Sequence, residues 1–387
     1  MKKNIYIMYV VSFLHGMVFY ASISTLYRQT QGLSILQITM LESISMVLSF
    51  LFEIPWGILA DRIGYKRTMV FCCWLFFISK IVFWQATGFV WFLAERIMIS
   101  VVFSGLSGVD TAILYLSSEK GKSQQIFGIY NSLGTAGLIF SSAVFACFMG
   151  DDYKLAALYT VISHGIAAIA VLGLDEVKAV EKSQTISRNF IHTVRQCFAD
   201  KRLLLLLLGV AFLSETHQMI ITFLNQLQYE RCGMSSSTIG FVYILVTLAG
   251  LNGAFSMQLS NKTGESRMAI ILCTCALISC VILAITSNAL LSVVSVMLLE
   301  LTNCLFSPLQ NEWQNRRIKS ADRATALSVN TMFMDSAGAI IYLAFGKIAE
   351  YSLNFSFLFG AALCLVSLIL IHNNTEKPIN KNNKGIH

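Results

Sequence analysis

The chain has 387 residues, of which 56% are apolar or aromatic and only 13% charged, against roughly 25% in an average soluble domain. Its mean hydropathy is +0.66. So few charges exclude a soluble globule, so much apolar side chain excludes disorder, and blocks of about 20 apolar residues exclude the alternating strands of a transmembrane barrel.

Taken in chain order, apolar blocks fall at 5–26, 36–58, 68–87, 90–113, 125–148, 156–174, 203–226, 238–259, 267–286, 289–310, 325–346 and 354–372. Each is long enough to cross a bilayer as a helix. The expected fold is an all-α membrane protein with 12 transmembrane helices. The first block could be mistaken for a secretory signal, because Lys2 and Lys3 precede it and Ala21-Ser22 follows. It is long for a signal core, and its removal would leave an odd helix count. The ten cysteines share no spacing and mostly sit inside the blocks, as small core residues do; neither a disulfide nor a metal framework is expected.

Charge tests the count. With the N-terminus in the cytoplasm, only Arg28, Lys154, Arg231 and Lys347 fall in outer segments, and Lys80 and Arg96 within spans. Every other Lys and Arg falls on the inner side, as the positive-inside rule demands. Both termini are then cytoplasmic. The net charge of +7 follows from topology and implies no nucleic-acid partner.

The longest polar interruption runs from Asp175 to Arg202. It divides the chain into an N-terminal six-helix bundle, 1–174, a cytoplasmic linker, 175–202, a C-terminal six-helix bundle, 203–372, and a cytoplasmic tail, 373–387. Within the linker Phe190, Ile191, Val194, Cys197 and Phe198 share one helical face. That face fits a helix lying on the membrane surface, and a solvated linker is the alternative. The halves repeat at an offset of about 200 residues, a pattern that points to a binding site between them near the bilayer midplane. Gly32-Leu33-Ser34 with Ile38 matches Gly233-Met234-Ser235 with Ile239. Ala60-Asp61-Arg62-Ile63-Gly64 with Arg67 matches Ser260-Asn261-Lys262-Thr263-Gly264 with Arg267.

The sharpest motif is Gly57-Ile58-Leu59-Ala60-Asp61-Arg62-Ile63-Gly64-Tyr65-Lys66-Arg67, between spans two and three. It closely resembles the loop signature of the major facilitator superfamily, Gly-x-Leu-Ala-Asp-Arg-x-Gly followed by two basic residues. Tyr65 departs at one basic position, and Lys66-Arg67 restores the charge. The resemblance implies the superfamily's fold of two pseudo-symmetric six-helix bundles. It also implies a latch that holds when the cytoplasmic side is shut, with span eleven as partner. Gly57 and Gly64 would allow close approach and reversal. Asp61 would face a helix end, Arg62, Lys66 and Arg67 would pair with acids, and Glu53 would join them.

A charge in hydrocarbon is costly and marks function. The acids within spans are Glu42, Glu53, Glu95, Asp110, Glu215, Glu300 and Asp335, and they outnumber the bases Lys80 and Arg96. The resemblance implies that spans one, four, seven and ten line a central cavity. Those spans carry His15, Arg96, Asp110, Glu215, His217, Glu300 and Asn303. Burial favours the neutral carboxyl, so such a group can take a proton and release it on solvation. Glu215 is the first candidate for a proton site, then Glu300 and Asp335; a structural hydrogen bond is the alternative for each. His15 and His217 are candidate relays or satisfied structural histidines. Arg96 resembles the fourth-helix Arg that accompanies proton coupling in many members, without the Gln-Gly that usually follows. Glu95 is expected to pair with Lys80, while Glu42 and Lys80 are expected near outer helix ends, free to snorkel.

The Gly-Pro element common in span five of drug antiporters is absent, which counts against an antiporter; Gly128, Gly134 and Gly137 stand there instead. Ser107-Gly108-Val109-Asp110 and Arg323-Ala324-Thr325 resemble elements of bacterial permeases regarded as exporters. Together these features predict a secondary carrier in a bacterial cell membrane, working by alternating access as a monomer. It would use protons to export small amphipathic or cationic compounds. Import of a small solute by proton symport or uniport is the alternative, and a non-transporting receptor or scaffold a remote one. No nucleotide loop, metal cluster or nucleophile–base set is present, so neither an enzyme nor a cofactor is expected.

Overall fold

The computed structural model of the chain describes residues 2–119, 121–177, 199–318 and 323–374. They form 12 helices long and apolar enough to cross a membrane. We number them α1 Lys2–Thr30, α2 Ile35–Ile63, α3 Tyr65–Gln85, α4 Gly88–Ser117, α5 Ser123–Met149 and α6 Tyr153–Gly173 in the first half. The second half has α7 Lys201–Arg231, α8 Ser236–Thr263, α9 Glu265–Ile285, α10 Ala289–Arg317, α11 Arg323–Tyr351 and α12 Leu353–Asn374. The expected surface helix in the linker falls mostly on 178–198, outside the described residues, as does the tail from 375 onward.

The sequence repeat is a repeat of local structure. Ser34 caps α2, its hydroxyl accepting from the Gln37 N–H while the Gln37 side chain accepts from the Ser34 N–H. Ser235 caps α8 in the same register, accepting from Thr238 N–H. Gly64 and Gly264 make the reversals into α3 and α9 at φ +92° and +82°, backbone that side-chain-bearing residues rarely adopt.

Within each half the helices interlock through small residues and hydroxyls. A Cβ on Gly137 would run into the Phe13 carbonyl, so α1 and α5 touch backbone to backbone. Ser100 and Ser104 of α4 donate to the Ser45 and Ser49 carbonyls of α2. Ser367 of α12 donates to the Gly209 carbonyl of α7 at 2.6 Å. Cys72, Cys73, Cys273, Cys280 and Cys364 are buried and unbridged, as core residues.

Two cavity-side helices are broken. α1 is helical to Gly16, unwinds over Met17–Tyr20, and resumes through Ala21–Ile23. Hydroxyls of α6 satisfy the unwound backbone: Phe19 N–H donates to Thr160 and Ser163 donates to the Met17 carbonyl, both at 3.0 Å. α4 breaks at Ser107–Gly108. Irregular backbone at membrane depth persists only where protein or a cavity covers it.

We call the end carrying Lys2, Lys3 and the 64–67 reversal the inner end. Hydrogen bonds joining the halves gather toward the outer end. Thr25 N–H donates to Gln226 at 2.7 Å, Ser43 to the Ala339 carbonyl at 2.9 Å, and the Tyr153 and Ser236 hydroxyls pair at 2.7 Å. There α2 lies along α11 and α5 along α8. A Cβ on Gly346 would overlap the Thr39 side chain.

Candidate functional site

Below this closure lies a cavity of about 1120 Å³ between the halves. It reaches inward past Phe103 to Gln310 and is walled by both halves. Of the residues predicted to form the pathway, it brings together His15, Arg96, Glu215 and Asn303.

The first-half wall is a network of buried charges. Glu42 on α2 receives Arg28 of α1 at 3.4 Å and Arg96 of α4 at 3.2 Å. Glu95 holds the Arg96 Nε at 3.1 Å and stands 3.9 Å from the Lys80 ammonium. Lys80 also donates to the Tyr20 hydroxyl at 2.9 Å and lies over the Phe76 ring at 4.9 Å. The expected Glu95–Lys80 pair is therefore present. The expected snorkelling is not: Lys80 is 5% exposed, and Glu42 lines the cavity. Glu95 and aromatic faces hold Lys80, and two guanidiniums hold Glu42; moving either to the interface would leave these partners uncompensated.

Arg28 is a further correction. Sequence placed it in an outer loop, whereas it is 1% exposed and lines the cavity. It belongs to the helical turn Ser24–Thr30 that resumes α1 after the break. The legible signal was its company: one of few bases on the side that positive-inside topology leaves bare.

The second-half wall is sparser. Glu215 of α7 packs on α11 where Gly338 leaves room, with Asp335 one turn before that glycine and near enough to repel it. Tyr342, one turn after Gly338, lines the cavity within electrostatic reach of both Glu215 and Glu42. Glu215 follows helix geometry directly, since α7 presents Ser214, Glu215, Gln218 and Thr222 to the cavity along one face.

Four predicted residues are not among those lining the cavity. His217 faces away and pairs with Thr302 of α10 at 3.0 Å, the structural alternative. Glu300 packs against Gly250 of α8. Asp335 stands on α11 within electrostatic reach of Glu215. Asp110 opens the short helix after the α4 break, where its carboxylate accepts from Thr111 N–H at 2.6 Å. A carboxylate in a first helical turn is stabilised there by the N–H groups. His15, by contrast, sits at the α1 break and stacks on His164 with ring centroids 5.2 Å apart.

Of the predicted latch, the side chains of Glu53, Gly57 and Asp61 lie outside the described residues, as does the 319–322 approach to α11. Gly64 and Lys66 pack on Glu176, which accepts from the Lys66 N–H at 3.2 Å. Arg62 and Arg67 are exposed at the inner end. The corresponding reversal in the second half is clasped internally: Glu265 receives Arg316 at 2.7 Å and the Trp313 indole at 2.9 Å.

The family model of the Major Facilitator Superfamily matches residues 5–342. The chain belongs to that superfamily. A solved nucleoside transporter, NupG, shares the fold at a TM-score of 0.83 and 15% identity, covering 96% of this chain and all of that one. A bacterial homologue of the human lysosomal transporter Spinster, solved inward-facing and unoccupied, matches at 0.72 and 16% identity over 96% and 91% of the two chains. A POT family transporter in complex with 5-aminolevulinic acid matches at 0.69 and 15% identity over 96% and 95%. In sequence, an uncharacterized MFS-type transporter of Methanocaldococcus jannaschii is 24% identical over 139 residues, 35% of this chain. That match spans 36% of the relative's length. As a Major Facilitator Superfamily protein the chain is a multi-pass membrane transporter, and the central cavity is its candidate substrate site.

Proposed function

We propose that this transporter is a proton-coupled secondary carrier that exports small amphipathic compounds by alternating access. The two units, 1–174 and 203–372, would rock about the central cavity, with the state described here open to the cytoplasm and closed outside. Lys66, Arg62 and Arg67 would then re-engage span eleven when the inner side shuts. Both termini would be cytoplasmic, the membrane a bacterial cell membrane and the monomer the working unit.

The observation that carries the reading is Glu215. It is a half-buried carboxyl on the cavity wall, with no cation beside it among the described residues and a second carboxyl, Asp335, within electrostatic reach. A carboxyl so placed can exchange a proton with whichever side the cavity opens to, which is the step a proton-coupled carrier needs. The aromatic lining of Tyr20, Phe76, Phe103, Phe223, Tyr243 and Tyr342 supports an amphipathic cargo. A cationic cargo loses support, because Arg28, Lys80 and Arg96 line the opposite wall. The export direction rests on the resemblance of the 107–110 and 323–325 segments to those of exporters.

Glu215→Gln should abolish gradient-driven transport in proteoliposomes and leave substrate exchange intact. Unchanged uphill transport in that variant would remove Glu215 from the mechanism. Direction is read in cells: loss of the protein should raise retained amphipathic dye, and lower uptake of a solute instead would favour import.

A further inference from the structure

We propose that Arg28, Lys80 and Arg96, at the closed outer end of the cavity, form a seat for the carboxylate of an organic anion. This deepens the carrier reading and rests on it for the cavity's role as a substrate site.

Three cations from three helices converge on two carboxylates. Glu42 serves Arg28 and Arg96, and Glu95 serves Arg96 and Lys80. One positive charge is left over in a wall where the Arg28 and Lys80 side chains are only 2% and 6% exposed. Water compensates little at that depth, and a buried charge without a counterion costs several kcal/mol. Aromatic faces supply part of the compensation: Phe76 and Tyr20 for Lys80, Phe83 for Arg28. The Arg28 Nε–H has no hydrogen-bond partner.

The other groups facing this wall do not close the balance. The Tyr20 hydroxyl already accepts from Lys80. His15 and His164 stack on each other and on Phe76 and carry no negative charge. Glu215 belongs to the far wall, packed on Gly338 beside Asp335. A ligand carrying one negative charge would complete the set.

Charge and shape select the class. A carboxylate brings one negative charge and two coplanar oxygens that match a guanidinium fork. A phosphate monoester brings about −1.5 to −2 and would overcharge the seat. The apolar body of the anion would extend inward along Met46, Phe76, Phe103 and Phe223. The cargo class is therefore a monocarboxylate with an aromatic or aliphatic body.

The test is thermal unfolding of the purified full-length protein with benzoate and octanoate, against benzamide, octanamide and tetraphenylphosphonium. The two carboxylates should raise the melting temperature in a saturable way, and the neutral and cationic probes should not. Arg28→Gln and Arg96→Gln should each weaken half-saturation by about 10- to 100-fold, the worth of a charge-assisted hydrogen bond. Glu42→Gln, which frees a cation, should tighten it, and decides the matter if the arginine variants fail to fold. Stabilisation by amides as strong as by acids, none by either acid, or weaker binding in Glu42→Gln would overturn the seat. Carboxylate binding with no flux in liposomes would sink the carrier reading alone. Flux of cationic solutes without carboxylate binding would sink the seat alone.

Discussion

The carboxyl of Glu215 occupies space that Gly338 leaves open on the facing helix: a Cβ at 338 would lie 3.0 Å from its carboxyl carbon. Side chain and missing side chain fit as a pair, which holds a titratable group against α11, the helix that also carries Asp335. Gly338→Val should therefore push Glu215 off its seat. Overpacking of this kind costs about 1–3 kcal/mol, so the variant should fold with a lowered melting temperature. Its gradient-driven transport should fall as in Glu215→Gln. Full activity in Gly338→Val would mean that the position of Glu215 is immaterial.

Buried and exposed ion pairs should differ sharply in their worth. Glu95 is fully buried between Lys80 and Arg96, and Glu95→Ala leaves two cations short of a counterion, a loss of about 3–5 kcal/mol. The Arg316–Glu265 pair has side chains 52% and 32% exposed, and Arg316→Ala should cost no more than about 1 kcal/mol. Unfolding of both variants in a detergent titration, beside the parent, measures the contrast.

The unwound stretch of α1 depends on two hydroxyls. Removing Ser163 leaves the Met17 carbonyl short of a donor, and removing Thr160 leaves the Phe19 N–H without an acceptor. Each of Ser163→Ala and Thr160→Val should cost about 1–3 kcal/mol. Thr160→Ser, which keeps the acceptor, should retain most of the stability. Melting temperatures of the three variants decide it; equal loss in Thr160→Val and Thr160→Ser would point to packing instead.

Cys304 reports which mouth is open. It lines the cavity on α10 while the outer end is closed by the Thr25–Gln226 and Ser43–Ala339 bonds. With Cys147, Cys197, Cys232 and Cys275 replaced by Ser, a membrane-impermeant maleimide should label Cys304 in inside-out vesicles and spare it in right-side-out ones. Equal labelling from both sides would contradict a closed outer end.

Much of this protein was written along the chain. Twelve apolar runs, the Gly64 and Gly264 reversals and the Ser34 and Ser235 caps are local features, set by periodicity, turn chemistry and capping. A sequence shows these because a membrane helix satisfies its own backbone and needs only length and composition to be recognised. Glu215 and Asn303 were legible for the same reason, as polar residues on helices that the loop signature assigns to the cavity. The charge network was not. Arg28, Glu42 and Lys80 looked like interfacial residues, because their burial depends on a break in α1 and on neighbours in α2, α3 and α4, distant in sequence. Likewise His217 and Glu300 share helices with cavity residues, yet a rotation about the helix axis turns them toward Thr302 and Gly250. Sequence determined which segments cross the bilayer and where the chain reverses. Tertiary packing decided which charges meet, because a side chain's partners are set by helix rotation, breaks and close approach, none of which is local.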